Sequence, residues 1–488
     1  MDTSASAPTD TTRKYAVLSA VGVGTFMSAL DASIVNATLP KLQAALHASV
    51  AGIEWVVTVY LLVVSGLLLI VGRLGDMRGH KDVYVAGFVG FVASSALCGL
   101  SRSVGWLVAF RAVQALSAAA LFANAPAILT ASFPPSERGR ALGLQATMTY
   151  LGLSVGPPLG QLLASRLGWQ AIFYVNVPVG ALGFWLSQRN IARDRPAGTA
   201  PRFDVLGAAL FFAGLLSALL ALNQGHAWGW TSPSILALLA AGAAVLAAFL
   251  VVERRRPEPM LDLSLFRSRV FAGATGSAMV SYVAQFALLF LLPFYLQWRG
   301  YGPEATGGIL MAQPVVMMIA APVAGTLSDR LGTRGPVVIG LSLLTAGILV
   351  LSFVGAGTST AALVLGMAVA GLGFGAFVAP NNSRLLGAAP PHRRGIASGV
   401  LAGARNVGMV LGVGLGGAVF TTVLARAGPD AVPQGVSVAL RAVAGITALA
   451  ALTSWLEGNT PEKGRTAVRR GAAVRRRAGT SRGDDAGA

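Results

Sequence analysis

Two stretches of the sequence, 256 residues apart, decide the fold. Residues 134–143 read PPSERGRALG and residues 390–399 read PPHRRGIASG, so both follow the pattern PPxxRGxAxG. Three glycines that follow the first copy recur at the same shift, as Gly152, Gly156 and Gly160 and again as Gly408, Gly412 and Gly416. A further pair, GRLGD at 72–76 and GTLSD at 325–329, recurs at a shift of 253. Near-equal shifts over several segments indicate an internal duplication.

The duplicated segments lie in a strongly apolar chain. Of its 488 residues, 54% are hydrophobic and 11% are charged, and the mean hydropathy is +0.67. A soluble globular protein carries about 25% charged residues, so the composition excludes a soluble enzyme and a disordered chain. The 60 glycines lack a collagen period and suit close helix packing in lipid. The one cysteine, Cys98, excludes an intrachain disulfide and is expected to pack inertly.

Apolar stretches of about 20 residues, the length that crosses a bilayer, occur fourteen times. The first run ends without an A-x-A cleavage site, which predicts an uncleaved span rather than a signal peptide. We therefore predict an all-α polytopic membrane protein with fourteen transmembrane helices. The predicted spans are 15–39, 53–73, 83–101, 106–131, 140–164, 171–188, 205–223, 234–252, 270–296, 305–327, 336–353, 360–380, 396–424 and 438–456.

The shift of the repeat covers eight of these helices. Two six-helix halves of the same orientation are therefore expected, separated by two extra helices. Parallel halves of this kind mark a large class of transporters, whose substrate site lies between them near the bilayer midplane. The predicted domains are an N-terminal segment 1–14, a bundle 15–189, a linker 190–204, two inserted helices 205–252, a linker 253–269, a bundle 270–456 and a basic tail 457–488.

Basic residues indicate the orientation. The formal net charge is +18, and about 29 of the 37 Lys and Arg residues lie in the N-terminal segment, alternate loops and the tail. Such a bias places both termini in the cytoplasm and the chain in the cell membrane. The tail has no aromatic interleaving, so we expect contact with anionic lipid rather than nucleic acid; its arginine clusters are Arg469, Arg470, Arg475, Arg476 and Arg477.

Three charged residues fall deep within predicted spans: Asp31 in the first, Arg111 in the fourth and Arg405 in the thirteenth. A charged aspartate at the centre of a span costs about 2.5–3.5 kcal/mol on insertion scales, so it normally has a function. Arginine stays protonated and cannot shuttle protons, but it can bias a neighbouring carboxylate. We predict proton coupling through Asp31 with Arg111. The alternatives are hydrogen bonding without titration for Asp31 and structural bonding for Arg111.

Several motifs resemble those of a single family. They are LDASIVNATLP at 30–40, GRLGDMRGHK at 72–81, RAVQ at 111–114, GLSVGPPLG at 152–160, and Trp169 with Phe173, Asn176, Pro178 and Gly180. Together they resemble the fourteen-span drug:proton antiporters of the major facilitator superfamily, over about residues 15–456. The chain departs from the motifs at Ala115 and Gln161, where glycine is usual. These departures affect local packing rather than the class.

The resemblance implies gating or structural roles for the loop and glycine motifs. These residues are Gly72, Asp76, Arg78, Gly79, Lys81, Gly152, Gly156, Pro157, Gly160, Asp329 and Gly395. A carboxylate is stabilised at a helix N-terminus by about 0.3–1 kcal/mol, so Asp76 is predicted to cap the helix near Gly395 when the cytoplasmic side is closed. The alternative for Asp76 is positive-inside charge at a tight turn. For the glycines of the fifth span, a hinge and ordinary small-residue packing both remain open.

Polar and aromatic side chains within the spans are candidates for a substrate cavity. They are Asn36, Gln114, Asn124, Arg405, Asn406, Gln313 and Phe286. One deep acid, taken by the proton, predicts a preference for neutral or singly charged apolar compounds. The four histidines show no metal spacing, and the glycine-rich stretches lack the βαβ setting of a dinucleotide site. We therefore expect neither a metal nor a cofactor.

The function predicted from these features is proton-driven export of amphipathic, drug-like or antibiotic compounds by a monomer, with substrate, protons and lipid as its partners. No GxxxxGK[ST] motif occurs, which argues against ATP hydrolysis. One alternative is a transporter of another solute, such as a metabolite or siderophore. An intramembrane enzyme would need clustered catalytic groups at membrane depth. A sensor or receptor would be expected to carry an appended soluble domain.

Overall fold

The computed structural model describes residues 10–48, 50–193, 204–229, 232–256, 261, 263–390 and 393–456. These residues form fifteen α-helices and short 3₁₀ turns at Pro135–Glu137, Leu263–Arg267 and Pro429–Ala431. The helices are α1 (Asp10–Ala45), α2 (Val50–Arg78), α3 (His80–Gly99), α4 (Val104–Ser132), α5 (Arg138–Arg166), α6 (Ala171–Tyr174), α7 (Asn176–Asn190), α8 (Val205–Trp228), α9 (Pro233–Arg255), α10 (Arg269–Trp298), α11 (Pro303–Leu331), α12 (Arg334–Ser352), α13 (Thr360–Ala388), α14 (Arg394–Ala427) and α15 (Val432–Leu456). The predicted tail and most of the predicted linker 190–204 lie outside the described residues.

Eleven of these helices, α1–α4 and α9–α15, are long and apolar enough to cross a membrane. The sequences of the longer helices outside this group explain why they do not meet the same requirement of length and hydropathy. Helix α5 carries polar side chains and two internal prolines, α7 has 15 residues, and the apolar part of α8 is Val205–Ala221. The chain is therefore an integral membrane protein.

Two groups of helices pack in the same way. In the first, α1 packs on α5, α2 on α4, and α3 on α4 and α7. In the second, α10 packs on α14, α11 on α13, and α12 on α13 and α15. We call them the first group (α1–α7) and the second group (α10–α15). The duplication seen in the sequence thus has a counterpart in the packing.

The two groups meet mainly through two helix pairs, α5 with α11 and α2 with α14. Glycines allow the close approach in both pairs. A Cβ added to Gly72 would lie 2.5 Å from the carbonyl oxygen of Gly395, and one added to Gly139 would collide with the carbonyl oxygen of Gly325. The backbones of the two groups therefore touch, as small residues permit between membrane helices.

Helices α8 and α9 pack chiefly on each other. Helix α8 also contacts α2 of the first group and α14 of the second. Most of α9 is exposed, including the apolar side chains of Leu236, Leu250 and Val251. This apolar surface suits contact with lipid.

The sixth predicted span differs from the prediction because it contains two helices, α6 and α7, with a break at Val175. Pro178 has no N–H to donate to the carbonyl of Tyr174, so the helical ladder is interrupted there. The break leaves Asn176 at the start of α7 with its side chain buried in the first group.

Candidate functional site

A charged network is buried inside the first group. The Asp31 side chain on α1 is 0% exposed and pairs with Arg111 of α4, whose Nη1 donates to Asp31 Oδ2 at 2.6 Å. Asp31 Oδ1 accepts hydrogen bonds from Gln114 Nε2 at 3.0 Å and from Asn176 Nδ2 at 2.8 Å. Three donor atoms, two from α4 and one from α7, therefore surround one carboxylate.

Arg111 is satisfied in the same network. Besides Asp31, it donates to Gln114 Oε1 at 2.7 Å and, through Nε, to the carbonyl oxygen of Val56 at 3.2 Å. Its guanidinium carbon lies 4.1 Å from the centre of the Tyr60 ring. Removing one partner from a buried ion pair costs about 3–5 kcal/mol because the other charge stays buried. Each of the two buried charges therefore depends on the presence of the other.

The sequence analysis did not single out three members of this network as site residues. Asn176 appeared only within a family motif, and neither Tyr60 nor Ser95 was noticed. Ser95 Oγ accepts a hydrogen bond from Gln114 Nε2 at 2.7 Å, and the Tyr60 hydroxyl is buried without a partner among the described residues. Their signal in the sequence is weak, because one polar tip in an apolar span is common. Cys98 is buried, with its sulfur 3.9 Å from Gln114 Oε1.

A cavity of about 90 Å³ lies between the two groups. Both groups supply its walls, and its charged lining residue is Arg405 of α14. Drug-sized ligands occupy pockets of about 300–1,000 Å³, so the groups must separate further to admit one. The lining residues are Thr25, Phe122, Pro126, Leu142, Gln145, Ala146, Thr149, Tyr150, Tyr282, Val378, Asn382, Ser398, Leu401, Ala402 and Arg405.

Of the seven residues predicted to line a substrate cavity, the structure brings Arg405 to this one. Gln114 belongs to the Asp31 network, and Gln313 of α11 exchanges two amide hydrogen bonds with Gln285 of α10, at 2.8 and 2.9 Å. Asn36 is exposed on α1 and does not line this cavity.

The other three predicted cavity residues also lie elsewhere. Asn124 is buried, and its Oδ1 lies 2.8 Å from His80 Nδ1 at the end of the molecule where α2 turns into α3. Asn406 is buried with no hydrogen-bond partner for Nδ2 among the described residues, and Phe286 is half-buried. Neither of them lines the cavity.

Two carboxylates join the groups across their interface. Asp76 accepts hydrogen bonds at 2.8 Å from the backbone N–H groups of Gly395 and Ile396, at the start of α14. Asp329 accepts the equivalent bonds, also at 2.8 Å, from Gly139 and Arg140 at the start of α5. We call these contacts the two latches. The structure thus has the contact predicted between Asp76 and the helix at Gly395, while its part in gating stays a prediction.

The remaining residues of the loop motif shape the turn beside the first latch. Gly79 has φ 100°, a conformation that side chains with a Cβ rarely adopt. Lys81 is buried and its Nζ donates to the carbonyl oxygen of Gln188 at 2.8 Å, which ties α3 to the end of α7. Arg78 is exposed. His80 reaches the latch as well, because its Nε2 lies 3.4 Å from Asp76 Oδ1.

The three glycines of α5 contact α1, inside the first group. A Cβ at Gly152 would lie 2.7 Å from the carbonyl oxygen of Phe26, and one at Gly160 would lie 2.7 Å from the Ile34 side chain. Gly156 leaves room for Ser33 in the same way, and the ring of Pro157 is exposed. The glycine face therefore joins two helices of one group, and its predicted role as a hinge remains a prediction.

The geometry defines a class of protein: a helical membrane protein with two like groups, a cavity between them, and paired contacts that join the groups at one end. The model of the Major Facilitator Superfamily matches residues 21–413. The chain belongs to this family of membrane transporters, and that membership supports a role in transport.

The relatives of this chain include drug-resistance proteins. It is 34% identical to the multidrug resistance protein Stp of Mycobacterium tuberculosis over 86% of this chain and 80% of that protein. It is 33% identical to the tetracenomycin C resistance and export protein of Streptomyces glaucescens, over 86% and 78%. It is also 32% identical to the riboflavin transporter RibZ of Clostridioides difficile, over 84% and 89%.

The fold has solved counterparts. The crystal structure of the human organic anion transporter MFSD10 superposes with a TM-score of 0.66 at 17% identity, over 90% of this chain and 99% of that one. At this identity the likeness concerns the fold alone.

Proposed function

We propose that this protein is a proton-coupled exporter of amphipathic, drug-like or antibiotic compounds, which works as a monomer by alternating access. The observation that carries the proposal is the buried Asp31–Arg111 pair, an acid held at membrane depth by hydrogen bonds from two neighbouring helices, α4 and α7. Intramembrane acids of this kind typically belong to proton relays. The drug-resistance names of several relatives support export as the direction of transport.

Competition at Asp31 provides the coupling. As a carboxylate, Asp31 neutralises Arg111 and holds Gln114 and Asn176 in place. A proton on Asp31 removes the counter-charge, so the network must loosen and the helices that form it gain freedom to move. Proton entry is thereby linked to rearrangement of the first group against the second. Substrate binding in the cavity and protonation of Asp31 then favour different arrangements, which is the condition for antiport.

The topology belongs to the proposal as well. We count fourteen spans, with α6 and α7 forming the sixth span and α8 and α9 forming an inserted pair between two six-helix bundles at 15–189 and 270–456. The latch end carries basic residues at its helix ends and turns, among them Arg73, Arg138 and Arg393, and such basic ends face the cytoplasm in plasma-membrane proteins. Both termini are then cytoplasmic, and closed latches correspond to a cavity shut on the cytoplasmic side.

Transport into vesicles tests this proposal. Purified protein is reconstituted in liposomes with the membrane potential clamped, and a panel of dyes and antibiotics is followed after a pH difference of one unit is imposed. One proton exchanged per substrate can sustain about a tenfold substrate gradient per pH unit, since one unit equals about 1.4 kcal/mol. Accumulation without a pH difference, or equal accumulation with either sign of it, contradicts proton antiport.

A second candidate function is the transport of a defined metabolite, which the relationship to a riboflavin transporter favours. Growth assays separate the two. Expression in a drug-sensitive host raises resistance to several compounds if the protein is an exporter of drugs, whereas a metabolite transporter complements an uptake-deficient strain and leaves resistance unchanged.

The latches predict a measurable shift in conformation. Asp76→Ala and Asp329→Ala each remove two hydrogen bonds to a charged acceptor, and such bonds contribute about 1.5–3 kcal/mol apiece. The population with the latch end open should therefore rise, and it should rise further in the double variant.

Electron–electron distances between spin labels check this expectation. Labels at Ser136→Cys and Gly387→Cys, both exposed at the latch end, are introduced in a Cys98→Ala background. Asp82→Ala, at an exposed ion pair on α3, is the matched control and should leave the distances unchanged. Identical distributions in wild type and the Asp76→Ala, Asp329→Ala double variant contradict the role of the latches.

A further inference from the structure

The cavity between the two groups contains one charged side chain among its described lining residues, and that side chain is a cation. Arg405 lines the cavity together with aromatic and uncharged polar residues, and the lining contains no Asp or Glu. The ion pairs formed by the described residues do not include Arg405. The cavity therefore has a positive charge that none of the described residues neutralises through an ion pair.

Aromatic side chains of both groups lie beside Arg405 in the cavity. Its guanidinium carbon lies 5.1 Å from the ring centre of Phe122, on α4 of the first group, and Tyr282, on α10 of the second, lines the same cavity. The Tyr282 ring rests edge-on against Phe374, with ring centres 5.1 Å apart. A guanidinium has five donors in a fixed fork, so Arg405 can donate hydrogen bonds to a ligand in the cavity.

The position of Arg405 makes an unneutralised charge costly. It lies eleven residues into α14, which is about 16 Å along the helix axis at 1.5 Å per residue. Charged residues at such depth usually pair with another group or mark a substrate path. Arg111, the other arginine at membrane depth discussed above, is neutralised by Asp31 at 2.6 Å. The contrast indicates that the counter-charge of Arg405 is supplied from outside the protein.

We propose that the transported compound carries an acidic group, and that Arg405 binds it. The ligand is an amphipathic aromatic anion: its carboxylate or phenolate accepts hydrogen bonds from Arg405, and its ring system packs against Phe122, Tyr150 and Tyr282. This inference rests on the proposed function, since it takes the cavity to be the place where the solute binds. It narrows the expectation of neutral or singly charged compounds to those with a negative charge.

Three probes that share a ring system test the charge preference. They are anthraquinone-2-carboxylate, its methyl ester and 2-(aminomethyl)anthraquinone, which are an anion, a neutral compound and a cation near neutral pH. Binding to the purified full chain in lipid nanodiscs is measured by equilibrium dialysis. We expect the carboxylate to bind at least about tenfold more tightly than the ester, and the amine to bind most weakly, because charge-assisted hydrogen bonds are the strong ones.

Substitutions of Arg405 then test whether this residue causes the preference for the anionic probe. Arg405→Gln should weaken carboxylate binding about ten- to hundredfold and leave ester binding unchanged. Arg405→Lys should recover part of the loss, because lysine keeps the charge but not the planar fork. Arg426→Gln is the matched control, an exposed arginine on the same helix, and should bind all three probes as the wild type does. Unchanged ester binding also shows that each variant is folded.

Each outcome decides something. Equal binding of the three probes to the wild type, tightest binding of the amine, or no binding of any probe overturns the inference, whether or not the variants fold. Vesicle transport assays distinguish a failure of this inference from a failure of the proposed function. If the carboxylate and the ester accumulate equally under a pH difference, the result supports proton-coupled export and contradicts the anion preference. If the carboxylate binds through Arg405 but no probe accumulates under a pH difference, the result contradicts proton-coupled export and supports the anion site.

Discussion

Asp31→Asn is expected to abolish pH-driven accumulation. Asparagine has nearly the volume of aspartate and resembles its protonated form, but it cannot release a proton to form an anion. At zero membrane potential and a pH difference of one unit, wild-type vesicles should reach about a tenfold substrate gradient for one proton per substrate. Asp31→Asn vesicles should reach none, while exchange of substrate down its own gradient persists.

The structure indicates that this substitution also lowers the stability of the folded state. Arg111 is buried, and its carboxylate partner lies 2.6 Å away. Asp31→Asn leaves that arginine without a counter-charge, so the folded state should lose about 3–5 kcal/mol. Expression of the single variant is therefore expected to fall, even though the exchanged side chains are similar in shape.

A second variant separates coupling from folding. Asp31→Asn with Arg111→Gln replaces the ion pair by two neutral amides, so most of the lost stability should return while pH-driven accumulation stays absent. Thermal unfolding in detergent and vesicle transport measure the two effects. Asp82→Asn, in an exposed ion pair with Arg193, is the control and should change neither. If either Asp31 variant still accumulates substrate against its gradient, Asp31 is not the coupling site.

Gly395→Ala is expected to impair closure of the latch end and to slow transport. A Cβ there would collide with the carbonyl oxygen of Gly72 and lie 2.6 Å from Asp76 Oδ1, so α2 and α14 must move apart. Overpacking of this kind costs about 1–3 kcal/mol, which lowers the ratio of closed to open latches by about five- to a hundredfold. Spin labels at Ser136→Cys and Gly387→Cys report the separation directly.

The same helix offers a matched control, since a Cβ at Gly403 meets no atom within 4 Å. Gly403→Ala makes the same chemical change in an open place and should stabilise α14 by up to about 1 kcal/mol through helix propensity. Transport should be normal. Slow transport in Gly403→Ala, or normal transport and normal distances in Gly395→Ala, means that the close approach of α2 and α14 is dispensable.

Much of the fold could be predicted from the sequence because its causes are local or repetitive. Apolar stretches of bilayer length predict helices that span, and the recurrence of PPxxRGxAxG predicts two like groups of them. The structure contains both groups. The Asp76 contact with Gly395 could also be predicted, because a helix N-terminus stabilises a carboxylate and the resemblance to the major facilitator superfamily implies that the helix near Gly395 lies across the interface from Asp76.

The residues that line the cavity could not be predicted in this way. Asn124, Gln313 and Arg405 are all polar residues within apolar spans, and periodicity treats them alike. The structure places Asn124 beside His80, pairs Gln313 with Gln285, and leaves Arg405 facing the cavity. Which polar side chain faces a partner helix and which faces a cavity depends on the rotation of each helix, and that rotation is set by packing between helices distant in the chain.

The sequence by itself determined the class of this protein: its helical membrane fold, its duplication and the residues whose charge is out of place in lipid. Only the tertiary structure decided how those charges are arranged. Asp31 and Arg111 cancel one another inside the first group, and Arg405 keeps its charge in the cavity. The physical reason is that burying a charge is costly at any position along a span, which the sequence reveals, whereas the group that offsets the cost lies on another helix, which only packing brings near.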